Sequence, residues 1–262
     1  RPTGTARLDA LVRYLVPIGV LLLVWELVAR ATGIPAYILP TPYQIALRLE
    51  ESFGMILSHS GWSTIPILVG FVVAVAAGFV LAVLIAYSRW VERLVEPLIV
   101  VSQVVPKVAL APLFLIWFGH GLTPKIIIVG TIAFFPVLAN TIVGLKSAER
   151  EVIELMDSIA ANKAQIFWKI RVPSALPFVF PAIKVAALLS VVGAMVGEFV
   201  GADKGLGYLM ILSNTNLETD LLFAALFSIT LIGLVIYGVV GYAERWVLTR
   251  FGDGASTQLV PL

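Results

Sequence analysis

The sequence predicts an all-α integral membrane protein built on six transmembrane helices, and three observations predict it. Hydrophobic residues make up 60% of the 262 residues and charged residues only 13%, against about 25% charged in an ordinary soluble domain. Such a chain cannot cover a water-facing surface, so lipid is the solvent over much of its length. Six apolar stretches of roughly 20 residues recur along it, the length a helix needs to cross the hydrocarbon core of a bilayer. Lysine and arginine also collect in alternate connecting segments, as the positive-inside rule requires.

The elements follow in order, within a single domain over residues 1–262. The first span covers about 12–30 and carries Glu26 near its far end. Trp25-Glu26 stands where a signal peptide would need small residues for cleavage, so a removable leader is not expected. Thr41-Pro42-Tyr43-Gln44 reads as an N-cap, a proline at the first helical position and a capping-box partner. It opens a polar surface helix over about 42–57 with Arg48, Glu50 and Glu51, too charged to span. The second span, about 62–88, lies in the uncharged run between His59 and Arg89. The third, about 96–118, is interrupted by Lys107 between Pro106 and Pro112. The fourth, about 124–145, opens on Thr123 as N-cap with Pro124 at the first helical position. The fifth, about 176–200, contains Lys184 and Glu198, and the sixth, about 221–244, is uncharged up to Glu244.

With the N-terminus inside, the inner segments hold Arg1, Arg7, Arg13, Arg89, Arg93, Lys146, Arg150, Lys163, Lys169, Arg171, Arg245 and Arg250. The outer segments hold Arg30, Arg48, Lys125 and Lys204. Both termini are therefore expected in the cytoplasm, together with a long loop over about 146–175.

That loop reads as two helices with a bend. Val152, Ile153, Met156 and Ile159 recur at helical spacing, with Glu149, Arg150, Glu154 and Asp157 elsewhere on the wheel. Asn162-Lys163-Ala164-Gln165 has the capping-box form and starts a second short helix. Ile166, Phe167 and Ile170 give it an apolar face, and Pro173 is expected to end it. A short amphipathic helix in such a loop either rests on the membrane surface or fills a groove on a partner protein.

The spacing within the loop resembles the cytoplasmic signature of bacterial ABC importer permeases: Glu-Ala-Ala, three residues, Gly, nine residues, then Ile-x-Leu-Pro. Here Glu154-Leu155-Met156 is followed after three residues by Ala160, and after nine more by Ile170-Arg171-Val172-Pro173. The spacing is kept while both alanines, the glycine and the leucine are replaced. Alanine at 160 disfavours positive φ, so no left-handed backbone is expected there. Leu39-Pro40-Thr41-Pro42, Pro106-Lys107-Val108-Ala109-Leu110-Ala111-Pro112-Leu113, Trp117-Phe118-Gly119, Glu198-Phe199 and Lys204-Gly205-Leu206-Gly207-Tyr208 are similar to the nitrate/sulfonate/taurine group of these permeases. The resemblance runs over about residues 15–250 in the family's order.

It implies a type I ABC importer fold: a second copy of the chain, two cytoplasmic ATPase subunits that carry ATP and Mg, and a periplasmic or lipid-anchored substrate-binding protein. The location implied is the bacterial inner membrane. ATPase coupling would fall to Glu154, Asp157, Ala160, Asn162, Ile166, Phe167, Ile170 and Pro173, with Ile159, Ile166 and Phe167 as apolar knobs. The implied solute is a small anion such as a sulfonate, taurine or nitrate, with a pyrimidine- or flavin-type vitamin precursor as the alternative.

Polar groups inside the spans each need a reason, because a charge there costs about 2.5–3.5 kcal/mol on insertion scales. Lys107, with Gln103 and Ser102 nearby, either lines the translocation path and favours anions or pairs with a neighbouring helix. Glu198 forms part of an outer gate or reaches interfacial water. Lys184 snorkels toward headgroups. Asn140 is a second path candidate, although with Thr141 it also reads as hydrogen-bonding glue between helices. Trp62, Trp90, Trp117 and Trp246 sit at span ends as an aromatic belt. Gly70, Gly78 and the Gly193-x-x-x-Gly197 pair suit close helix approach.

The chain has no cysteine and two histidines, which excludes disulfides and thiolate or His-rich metal sites. It has no phosphate-binding Gly-x-x-x-x-Gly-Lys-Ser/Thr loop, so no cofactor is expected on it, and Gly205-x-Gly207 reads as a turn. The net charge of +2, without a long basic run, gives no nucleic-acid footprint. An ion-coupled secondary transporter is the rival class, and it leaves the charged loop without a purpose. A structural scaffold leaves Lys107 unexplained.

Overall fold

Pairs of helices that approach to backbone contact set the architecture. The computed structural model describes residues 4–251, with the side chains of 4–15, 89, 96, 98, 100, 103 and 251 outside the description. Arg1 therefore lies outside the described residues, as do the side chains of Arg7, Arg13, Arg89 and Gln103. The helices are α1 (Gly4–Ala31), α2 (Pro42–Glu51), α3 (Phe53–Tyr87), α4 (Arg89–Val104), α5 (Ala111–Phe118), α6 (Leu122–Lys146), α7 (Arg150–Ser158), α8 (Lys163–Ile166), α9 (Val172–Gly201), α10 (Leu206–Thr215) and α11 (Thr219–Phe251). No strand occurs among the described residues.

Among the described residues, four helical runs are long and apolar enough to cross a membrane: Phe53–Tyr87, Leu122–Lys146, Lys163–Gly201 and Thr219–Arg250. Helix α1 adds 28 residues. The stretch expected as a single third span is divided instead. Helix α4 stops at Val104, a 3-10 turn covers Lys107–Leu110, and α5 follows. Pro106 is the cause: it has no N–H to continue the ladder and holds Val105 extended, at φ −67° and ψ 124°.

Helix α6 lies between α3 and α9. A Cβ on Gly70 of α3 would stand 2.5 Å from the Val129 side chain, and one on Gly193 of α9 would stand 2.8 Å from the Val129 Cα. Glycine at both positions lets three backbones stack around one valine. Nearer the loop, Gly144 of α6 crosses Ala175 of α9, where a Cβ would meet backbone at 3.0 Å. A second apolar cluster joins α9, α10 and α11, with Leu206, Leu209, Ala224, Ala225 and Ile229 fully buried.

Local signals placed several helix starts correctly and others not. The Thr41/Gln44 capping box is formed, but α2 ends at Glu51 and α3 begins at Phe53, with only Ser52 between them, before the predicted end of the surface helix. Helix α6 starts at Leu122 after Gly121, without a side-chain cap from Thr123. Pro124 sits in the first turn, where its missing N–H has no intrahelical partner to lose. Helix α2 is pinned by Glu26 of α1, whose carboxylate accepts the Tyr43 N–H at 3.1 Å. Arg48 of α2 bonds Glu218 at 3.1 Å and approaches Asp220 of α11 at 3.9 Å.

Candidate coupling surface and translocation path

The 146–175 loop is ordered by its own backbone. Helix α7 ends with Ala160 at φ +55°, in the left-handed region. The Ala160 N–H reaches the Asp157 carbonyl and the Ala161 N–H reaches the Met156 carbonyl, each at 3.0 Å. This is the Schellman arrangement, so the left-handed turn is kept although glycine is absent. The two carbonyl bonds offset the steric cost of a Cβ, which corrects the expectation drawn from alanine. Asn162 and Gln165 then exchange two bonds of 2.8 Å as the predicted capping box.

Pro173 does not end the second loop helix. Helix α8 passes through a π turn, Phe167–Arg171, straight into α9, and the Val172 N–H reaches back to the Phe167 carbonyl. Pro173 cannot supply an N–H, and the widened turn accommodates it without breaking the rod. Lys163 to Gly201 is one helical run of 39 residues.

The apolar face of this helix turns inward. Ile166 is buried, and Phe167 packs edge-on against Tyr87 of α3 with ring centroids 5.5 Å apart. Arg171 lies over the same tyrosine at 5.5 Å. Ile170 and Pro173 are half-buried. Ile166 and Phe167 therefore root the loop in the bundle and are not free knobs. The outward face carries Leu155, Ile159 and Trp168, exposed by 63%, 67% and 65%, beside exposed Asp157, Ala160 and Asn162. Glu154 is exposed and held by Arg150 at 2.7 Å. Trp168 lies on the side of the helix opposite Ile166 and Ile170, and the sequence does not single it out when the Ile166 face is read as the outward one.

Lys107 sits on the 3-10 turn with its ammonium 4.4 Å above the Phe135 ring. The two border a cavity of about 280 Å³ lined also by Ile132, Pro136, Ala139 and Leu189. Phe135 borders in addition an apolar cleft between α3 and α6, with Val73, Ala77 and Gly130. Asn140 is exposed one turn beyond Pro136, and its Nδ2 donates to the Pro136 carbonyl at 2.9 Å. It bonds its own helix and not a neighbour. Among the described residues Thr141 Oγ1 is buried without a partner, so neither side chain bonds another helix of this chain there. The Gln103 side chain lies outside the described residues.

Glu198 is not at an interface with water: it is 1% exposed. Its carboxylate accepts the Gly207 N–H at 2.7 Å and a shared Ser63 hydroxyl bond at 2.8 and 3.0 Å. The Ser63 oxygen accepts the Leu206 N–H at 2.8 Å. Gly205-x-Gly207 is thus the start of α10 rather than a plain turn. Lys184 does not snorkel. It ion-pairs with Glu244 of α11, both largely buried.

A family model described as the binding-protein-dependent transport system inner membrane component matches residues 74–249. The chain belongs to that family. The permease is 36% identical to the formylaminopyrimidine transport permease of Halalkalibacterium halodurans, over 87% of this chain and 91% of the relative. It is 37% identical to the riboflavin transport system permease of Chloroflexus aurantiacus, over 88% and 87%. A putative aliphatic sulfonates transport permease of Bacillus subtilis is 28% identical, over 85% and 79%. The crystal structure of an amino acid ABC transporter with histidines shares the fold at a TM-score of 0.60 and 16% identity, covering 78% of this chain and 97% of that one. The importer-permease resemblance seen in the sequence is borne out, and the protein is an integral membrane transport permease.

Proposed function

We propose that two copies of the permease enclose a solute path and are driven by two ATPase subunits docked on residues 154–173. ATP and magnesium belong to those partners, and a periplasmic or lipid-anchored binding protein delivers the solute. In this reading the chain makes six crossings of the bacterial inner membrane with both termini in the cytoplasm.

One observation carries the coupling. The exposed Leu155, Ile159 and Trp168 stand on a loop whose second helix continues unbroken into a span. Force applied at Trp168 passes along the helical run Lys163–Gly201 to its far end, and Phe167 against Tyr87 carries part of it to α3. Apolar knobs on a rigid helix suit a groove on a partner.

The imported solute, in this proposal, is a flat nitrogen heterocycle of the vitamin-precursor type. The cavity at Lys107 offers one cation already engaged with Phe135 among Ile132, Pro136, Ala139 and Leu189. An aromatic solute stacks in such a place, whereas a strongly hydrated sulfonate needs several donors to replace its water. The relatives named for formylaminopyrimidine and riboflavin are also more similar than the one named for sulfonates. Lys107 itself favours a second reading, a small organic anion.

Reconstitution with the cognate ATPase and binding protein tests both parts. ATP-dependent uptake of formylaminopyrimidine or riboflavin without uptake of taurine supports the first reading. Taurine uptake alone moves the assignment to the anion. ATPase subunits that do not associate with the permease overturn the coupling.

A further inference from the structure

The start of α10 is an anion cradle that the chain fills itself. Backbone N–H groups at a helix N-terminus have no intrahelical acceptor and favour negative charge. Here the Glu198 carboxylate, from α9, takes the Gly207 N–H, while Ser63, from α3, takes the Leu206 N–H and donates to the same carboxylate. His59 of α3 sits one turn earlier, with Nδ1 at 3.0 Å from the Gly205 oxygen and 3.1 Å from its nitrogen. Lys125 of α6, itself buried, faces the cluster and donates to the Lys204 carbonyl at 3.2 Å.

The fit leaves no slack. Gly205 is at φ +119°, and a Cβ on it would lie 2.3 Å from the Glu198 carboxyl carbon. One on Gly207 would lie 2.8 Å from the Glu198 Cβ. Both glycines are therefore what allows the carboxylate to seat. A cluster so buried and so fully bonded does not line an aqueous path, and it joins three helices at the end of α9 remote from the loop.

We propose that Glu198 is a positioning residue whose seated carboxylate locks the remote ends of α3, α9 and α10 into one body that the transport cycle moves without opening. The proposal rests on the permease reading, since it concerns what moves when the partner ATPases close. Packed units of this kind shift as blocks rather than deform.

The absence of cysteine makes the test direct. Leu57→Cys on α3 and Thr215→Cys on α10, both at exposed positions, are spin-labelled in the full complex in nanodiscs. Pulsed EPR then measures their separation without nucleotide and after trapping with ATP and vanadate. The expected result is one narrow distance, unshifted between the two states, that broadens in Glu198→Gln. A shift in the parent, or a Glu198→Gln distribution as narrow as the parent's, overturns the proposal. If Glu198→Gln fails to insert, Ser63→Ala decides: it keeps the charge but removes the shared hydroxyl, so a broadened distance supports the lock and an unchanged one overturns it. Failure of the permease reading shows separately, as loss of ATPase association in the parent.

Discussion

The Glu198 carboxylate accepts the N–H of Gly207, the second residue of α10, at 2.7 Å. Glu26 does the same for Tyr43, the second residue of α2, at 3.1 Å. In both cases a glutamate near the end of a long helix caps the start of the next short one. The two differ in burial, since Glu198 is 1% exposed whereas the Tyr43 bond is at the surface. Removing Glu198 therefore costs more.

Glu198→Ala is expected to leave the Gly207 N–H and the Ser63 hydroxyl without their acceptor, each costing about 1–3 kcal/mol when buried. Gly205→Ala displaces the same carboxylate from the other side and adds about 1–3 kcal/mol for a Cβ in a positive-φ extended backbone that only glycine adopts readily. Thermal unfolding in detergent checks both. The midpoint should fall for each, and the two losses should not add, because they break one contact.

Ala160 gives a prediction of opposite sign. Its φ of +55° is carried by the two carbonyl bonds of the α7 terminus, so Ala160→Gly keeps the turn and removes the Cβ penalty. Stability of the loop should rise by about 1 kcal/mol, read as slower hydrogen exchange in α7. Ala160→Val should accelerate that exchange, since a β-branched residue is worse still at positive φ.

What the sequence made legible was local. The capping boxes at Thr41/Gln44 and Asn162/Gln165 follow from groups three residues apart, and both are formed as expected. The loop and the family signature were legible for the same reason. The seat of Glu198 was not, although the residue itself stood out, because its hydroxyl partner Ser63 is 135 residues away and nothing in either segment points to the other. The apolar face of Ile166, Phe167 and Ile170 was legible, but not that it packs inward on Tyr87 of α3, a residue distant in sequence, which leaves Trp168 on the exposed side. The division of the third stretch at Pro106 follows from backbone chemistry that a hydropathy count passes over.

The coupling face separates two kinds of loop residue. Trp168→Ala and Leu155→Glu alter exposed side chains, so the permease should insert normally while ATPase association weakens by about 2 kcal/mol, roughly 30-fold. Ile166→Ala instead removes a buried side chain and should cost about 2–5 kcal/mol of stability. Co-purification of the ATPase alongside thermal unfolding distinguishes them. If Trp168→Ala and Leu155→Glu leave partner affinity intact, the docking face lies elsewhere.

Lys184 and Glu244 join α9 to α11 with side chains only 22% and 15% exposed, and Lys184 also lies 5.7 Å from the Tyr237 ring centroid. A lysine free to snorkel would tolerate loss of any single carboxylate. A paired, largely buried one does not, because the remaining charge is left without compensation. Glu244→Gln and Lys184→Met should each destabilise by about 3–5 kcal/mol, and the double variant by clearly less than their sum. A double-mutant cycle on thermal unfolding measures the difference. Additive losses would mean that the two side chains act independently, and Lys184 would then return to the headgroup role its position near the span end suggested.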